Sequence, residues 1–99
     1  MAREADGGYM TINHFLAAAN HIKKAQALLE HALEKKAQRL SIDNDKTKIT
    51  HSLNKATVHF DNYRQYIKTL KPASREAAMQ LYNGLESAIT ELKKALNQL

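Results

Sequence analysis

Cysteine and tryptophan are absent from this chain of 99 residues, and proline and glycine are scarce, with one and three copies. Without cysteine, disulfides, thiolate metal ligands and cysteine nucleophiles are excluded. Gly7 and Gly8 lie near the start, so Pro72 and Gly84 are the only helix-breaking residues of these types in the remainder. So few breakers predict a small number of long helices. No apolar run approaches the roughly 18 residues that cross a bilayer, and we expect a cytoplasmic protein.

The overall composition is that of an ordinary globular domain. Hydrophobic residues make up 43% of the chain and charged residues 25%. These proportions are typical of folded rather than disordered proteins. We predict a flexible tail over residues 1–10, followed by one domain over residues 11–99.

The clearest periodic stretch lies in the middle of the chain. Its apolar residues recur in steps of four and three, which places them on one face of an α-helix. They are Ile49, Leu53, Ala56, Phe60, Tyr63, Ile67 and Leu70. The polar residues between them lie mostly on other faces, so this helix is expected to bury one side and expose the other.

Two further segments show matching patterns, and the three predicted helices span residues 11–40, 45–71 and 74–98. In the first, the apolar positions are Ile12, Phe15, Leu16, Ala19, Ile22, Leu29, Leu33 and Leu40, with a parallel column of Ala18, Ala25 and Ala32. In the third, they are Ala78, Leu81, Tyr82, Leu85, Ala88, Ile89, Leu92, Ala95, Leu96 and Leu99. Asp43 or Asp45 is the expected N-cap of the second helix and Ser74 that of the third. Gly84 is expected to mark a close approach between helices.

Three long helices with short connections predict an all-α, up-down-up antiparallel bundle. The apolar stripes of the first and third helices are broad. A second copy of the chain that completes their burial, giving a homodimer, is therefore an open alternative.

Basic residues are concentrated in the first two helical segments. The formal charge is +5 overall, +3 for residues 11–40, +3 for residues 41–71 and 0 for residues 72–99. Such an excess is compatible with nucleic acid or another acidic partner but selects neither. The candidate residues for such contacts are Lys23, Lys24, Lys35, Lys36, Arg39, Arg64, Tyr66, Lys68 and Lys71.

Five histidines are many for a chain of this length. His14 and His21 are one heptad apart, and two turns separate them by about 10 Å, too far for one ion to bridge. His31 and Glu34 have a metal-ligand spacing, but the pair is two ligands short of a site. We therefore expect no metal or other cofactor. A histidine-dependent metal or phosphoryl-carrying bundle is the second alternative function.

No arrangement of serine, histidine and aspartate favours catalysis, so the chain is not expected to be an enzyme. Apolar residues at the margins or outside of the predicted faces indicate a contact surface instead. These protein-interface candidates are Leu28, Val58, Met79 and Tyr82. The sequence thus favours a small helical protein that binds a macromolecular partner, as an adaptor, regulator, inhibitor or immunity-type protein. Nucleic-acid binding through the basic faces of the first two helices is the first alternative.

Overall fold

A computed structural model of the protein describes the backbone of residues 2–99 and the side chains of residues 13–99. It contains three α-helices, α1 (Ala2–Ala37), α2 (Asp43–Ile67) and α3 (Pro72–Asn97), and no strand in the described range. The predicted all-α three-helix bundle is therefore confirmed. None of the described helices combines the length and apolarity of a membrane span.

Contacts between side chains define the helix directions. The rings of Phe15 and Tyr63 lie 5.5 Å apart, whereas the other end of α1 meets the start of α2. Phe60 of α2 stacks on Tyr82 of α3 with ring centroids 4.5 Å apart. The end of α3 returns to α1, where the Lys36 ammonium donates to the carbonyl oxygens of Gln98 and Leu99 at 3.2 and 3.3 Å. The helices therefore run up, down and up, and α2 packs against both of its neighbours.

The core confirms the periodic stripe of α2. Ile49, Leu53, Ala56, Tyr63 and Ile67 are buried, and the other two stripe residues pack partly buried against them. Five residues of α3 complete the core from the other side, namely Ala78, Tyr82, Leu85, Ile89 and Leu92. Most large apolar residues of both helices are therefore placed by their heptad spacing, whereas Leu81 of the predicted α3 set is 49% exposed.

The buried face of α1 differs from the predicted one. The alanine column is its centre, because Ala18, Ala25 and Ala32 have no exposed surface. Leu16 and Leu33, which the sequence assigns to the buried stripe, are about half exposed at 49% and 50%. Small side chains let two helix backbones approach closely, and a helix centred on its alanines turns the flanking leucines outward.

The C-terminus of α1 lies three residues before the predicted end at residue 40. Arg39 adopts a left-handed conformation with φ of 61°. The Leu40 amide donates to the Lys35 carbonyl at 2.9 Å, and the Arg39 amide donates to the Lys36 carbonyl at 3.0 Å. This pair of bonds is a Schellman motif, which ends a helix by satisfying its last carbonyl groups.

The remaining helix ends also correct the predicted boundaries. The N-cap of α2 is Ile42, whose side chain forms no capping bond, so neither Asp43 nor Asp45 has that role. Pro72 occupies the first turn of α3, ahead of the expected cap Ser74. Proline suits the first helical position because its missing amide would have no partner there. At the end of α2, the Thr69 hydroxyl donates to the Tyr66 carbonyl at 2.7 Å and competes with a further helical turn.

At the other end, α1 begins at Ala2 rather than at residue 11. The predicted flexibility of residues 1–10 stays a prediction, because the described side chains begin at Asn13. Association with a second copy likewise stays a prediction.

Gly84 does not mark a close helix approach. It is exposed within α3, and a Cβ atom added there would meet no heavy atom of the described residues within 4 Å beyond its chain neighbours and the adjacent helix backbone. The expectation of a tight crossing at this residue is therefore wrong, and the glycine only increases the entropy that α3 loses on folding.

We predict that Gly84→Ala stabilises the bundle by about 1 kcal/mol, because alanine is the better helix former and meets open space. The thermal midpoint should rise by about 4–8 °C for a domain of this size. Circular dichroism during heating measures the effect. A lower thermal midpoint would contradict the prediction, because it would mean that other atoms fill the space beside Gly84.

At the end of α1, replacing a residue by glycine should stabilise the protein. Arg39→Gly removes the Cβ strain of the left-handed conformation, and we expect a gain of about 0.5–1 kcal/mol after the larger unfolded-state entropy of glycine is subtracted. Arg39→Ala is the matched control, since it removes the charge and keeps the Cβ atom. Equal midpoints for the two variants in thermal denaturation would attribute the effect to charge instead of backbone conformation.

Candidate functional site

A cleft between α2 and α3 combines apolar and positively charged side chains. We call it the α2–α3 cleft, and it has a volume of about 440 Å³. Its lining residues are Arg64, Ile67, Lys68, Arg75, Met79 and Tyr82. Lys68, the C-cap residue of α2, follows Arg64 by one helical turn, so both side chains leave the same face of that helix. Arg75 faces them from the first turn of α3.

The walls of this cleft are held in place by packing and hydrogen bonds. The Arg75 guanidinium donates to the Leu70 carbonyl at 2.9 Å, which ties the start of α3 to the end of α2. Tyr82 is 8% exposed and stacks on Phe60, whereas Met79 is 37% exposed at the opening. Below the cleft, burial raises the pKa of Tyr63, whose hydroxyl donates to the Ala78 carbonyl at 3.5 Å. The cleft thus has a rigid apolar base and a cationic rim.

A second feature lies along the boundary between α1 and α2, which we call the α1–α2 groove. Near one end, His14, His21 and His59 form a histidine cluster. The Nδ1 atoms of His14 and His59 are 3.1 Å apart, and the ring of His21 stacks on that of His59 at 5.7 Å with an interplanar angle of 11°. A contact between two ring nitrogens requires one N–H donor and one bare acceptor, so the first pair shares one proton.

The electrostatic surroundings of His21 disfavour a positive charge on its ring. The pKa of His21 is lowered from its ordinary value of 6.5, first by burial and then by the positive charges that His59, Lys55, Lys24 and His51 carry. The residues named come from both helices, so both sides of the groove oppose protonation of His21.

The rest of the groove holds a cleft and an ion pair. The cleft has a volume of about 560 Å³ and is lined by Lys24, Leu28, Thr47, Lys48, His51 and Ser52. At the far end, the Lys35 ammonium lies 3.2 Å from Oδ2 of Asp45, a carboxylate that is almost fully buried. That oxygen has no well-directed hydrogen bond, so the contact is mainly ionic. Loss of Lys35 would leave a buried carboxylate without its counter-charge.

The three histidines of the cluster lie closer together than the sequence suggests. The sequence separates His14 from His21 along one helix, but His59 of α2 contacts both rings. Among the side chains from Asn13 onward, no group of three or more histidine, cysteine or acidic residues is arranged to hold a metal ion.

The structure distributes the predicted basic residues over several locations. Arg64 and Lys68 line the α2–α3 cleft, and Lys24 lines the α1–α2 groove. Two others contact groups within the chain, because Lys35 pairs with Asp45 and Lys36 binds the last carbonyl groups of α3. Lys23, Arg39 and Lys71 are exposed and line neither cleft, and Tyr66 is half-buried. The predicted basic surface is therefore divided between two sides of α2.

The predicted interface residues are divided in the same way. Met79 and Tyr82 meet in the α2–α3 cleft, Leu28 lines the α1–α2 groove, and Val58 is exposed at 58% and lines neither. Sequence reasoning missed Arg75, which completes the cationic rim, and Lys48 and Lys55 of the groove. The Arg75 position carries a detectable signal, since a basic residue just after Pro72 lies beside the end of the preceding helix.

Comparisons with models of known protein families, with curated proteins and with solved structures find no match to this chain.

We predict that the bundle becomes less stable as the pH falls below about 6.5, the ordinary histidine value. Because the folded-state pKa of His21 is lowered, the unfolded chain binds more protons in this range, and stability is lost with acidification. Thermal denaturation at a series of pH values measures the loss. His21→Gln should show a shallower decline than the wild type, whereas His31→Gln, an exposed histidine outside the cluster, should decline as the wild type does. Identical slopes for all three proteins would contradict the prediction.

Proposed function

We propose that this chain is a small non-enzymatic protein of the cytoplasm that acts by binding a protein partner, and that the α2–α3 cleft receives an acidic, amphipathic segment of that partner. The observation that carries the proposal is the combination of three cations from two helices around an apolar base. Neither feature alone specifies a partner. Together they favour a segment with carboxylates beside large apolar side chains.

The apolar part of the cleft supports insertion of a side chain from the partner. Met79 is partly exposed at its opening, and the side chains of Ile67 and Tyr82 are buried beneath. Methionine adapts to differently shaped apolar groups, which suits a surface that binds a helix or loop. A volume of about 440 Å³ accommodates a few side chains rather than a whole helix.

The charges around the cleft support selection of an acidic segment. Arginine forms paired hydrogen bonds with carboxylates, and the cleft has one arginine on each helix. Arg75 is already oriented by its bond to Leu70, so less side-chain entropy is lost when it binds a carboxylate. Charge complementarity mainly increases the association rate and rejects basic partners.

A peptide pair tests this proposal directly. The probe is a synthetic amphipathic helix with leucines on one face and glutamates beside them, and its counterpart has lysine in place of each glutamate. We expect the acidic peptide to bind with a Kd of about 10–100 μM, as is typical of a small contact, and the basic peptide to bind at least about tenfold more weakly. Titration followed by NMR also reports whether the Met79 methyl group shifts.

Three variants localise the contact. Lys68→Glu reverses a rim charge and Met79→Asp places a carboxylate in the opening, and each should weaken binding of the acidic peptide by about tenfold or more. Val58→Asp is the matched control, because it introduces the same charge at an exposed residue of α2 that does not line the cleft. Unchanged affinity in the first two variants, or an equal loss in the control, would refute the cleft as the binding site. Circular dichroism verifies that all three remain folded.

A further inference from the structure

Two heptad stripes border the α1–α2 groove. On each helix the positions recur in steps of three and four, so each set occupies one face. The α1 stripe consists of His14, Ala17, His21, Lys24, Leu28, His31 and Lys35. The α2 stripe consists of Asp45, Lys48, Ser52, Lys55, His59, Asn62 and Tyr66. The stripes are thus rich in basic and imidazole side chains and poor in apolar ones.

Contacts at both ends and in the middle show that the stripes lie opposite each other. His14 meets His59 at one end with 3.1 Å between their Nδ1 atoms, and Lys35 meets Asp45 at the other end. The cleft of about 560 Å³ lies between them and is lined from both helices. From His14 to Lys35 the groove is about 30 Å long at the rise of an α-helix.

The charge of the groove is almost entirely of one sign. Asp45 is the only carboxylate among the fourteen stripe positions, all of which have described side chains, and it is buried against Lys35. That pair is neutral overall. The remaining cations, Lys24, Lys48 and Lys55, are exposed. An exposed surface with three cations and no balancing carboxylate in the same stripes attracts polyanions.

We infer that the α1–α2 groove binds the phosphate backbone of single-stranded nucleic acid, and that protonation of its histidines tightens this binding. The site is distinct from the α2–α3 cleft, which lies on the other side of α2. The α1–α2 groove shares only Lys24, Lys35 and Tyr66 with the basic surface predicted from the sequence. It adds Lys48, Lys55 and the histidine cluster.

The histidines link binding to pH because other positive charges surround them. Lys24 of α1 and His51, Lys55 and His59 of α2 lie near His21, and His14 contacts His59. Protons added to the cluster therefore repel one another in the free protein. A phosphate chain along the groove offsets that repulsion, so binding takes up protons and acidification strengthens binding in return.

The side chains of the groove favour a nucleic acid over a membrane surface. Adsorption to lipid requires an apolar face beside the cations, and the stripes supply only Ala17 and Leu28. Imidazole rings can instead stack with unpaired bases. A groove about 30 Å long also suits a strand of several nucleotides rather than a broad surface.

The test measures binding of a fluorescent single-stranded RNA of about 12 nucleotides, a length within the usual site size. Anisotropy titrations are made at about pH 7.5 and pH 5.5, on either side of the ordinary histidine pKa, and at several salt concentrations. With three lysines engaged, log K should fall against log salt with a slope of about −2 at the higher pH. Each proton that the groove takes up on binding adds one positive charge, so at the lower pH the slope should steepen by about 0.7 for each added charge, and affinity at low salt should rise at least about tenfold.

Variants separate this site from the α2–α3 cleft. Lys24→Glu and Lys55→Glu should each weaken RNA binding at both pH values, whereas Lys68→Glu should leave it unchanged. His21→Gln and His59→Gln should each lose most of the steepening of the salt slope on acidification, whatever their affinity at the higher pH. If His59→Gln fails to fold by circular dichroism, His51→Gln at an exposed residue serves the same purpose.

Several results would overturn the inference. They are a salt slope that is the same at both pH values, a loss of RNA binding in Lys68→Glu but not in Lys24→Glu, or the absence of RNA binding at the lower pH. Tighter binding to vesicles containing anionic lipid than to RNA would identify a membrane surface as the ligand and refute the nucleic-acid assignment. Tighter binding of the acidic peptide than of RNA at this groove would identify a protein as the ligand and would likewise refute the nucleic-acid assignment.

Discussion

The close packing of α1 on α2 is the contact on which the other features of the structure depend. Three alanines with no exposed surface form the centre of the α1 face, and Ile49 of α2 is equally buried. Alanine contributes little apolar area, so this interface gains stability from proximity and from the residues flanking it. The histidine cluster, the cleft of the groove and the Lys35 pair all require this separation of the helices.

The same packing leaves apolar surface on the outside of the bundle. Leu16 and Leu33 of α1 are each about half exposed, at 49% and 50%. A helix that placed these leucines in the core would hold its neighbour at a greater distance and separate the histidines. The packing of α1 on α2 therefore brings the polar side chains along the helix boundary close together and leaves leucines of α1 partly exposed.

The basic residues acquire different roles from their positions around α2. Arg64 and Lys68 join Arg75 beside an apolar base, which suits carboxylates with apolar neighbours. The lysines of the α1–α2 groove border imidazoles and hydroxyl groups instead, which suits a phosphate chain. Lys35 neutralises Asp45, and Lys36 donates hydrogen bonds to the carbonyl groups of Gln98 and Leu99. The net charge of +5 is therefore distributed over two surfaces of different chemistry and over contacts within the chain.

The sequence by itself determined the number of helices, their approximate positions and the buried stripe of α2, because the spacing of large apolar residues matches the helical period. Only the tertiary structure decided which face of α1 is buried, since leucines and alanines on neighbouring faces both satisfy that period. It also decided where each charge lies. His14 and His59 are 45 residues apart in the chain, and Arg75 faces Arg64 across a turn. Such meetings depend on the register between helices, which packing determines and which periodicity within one helix does not specify.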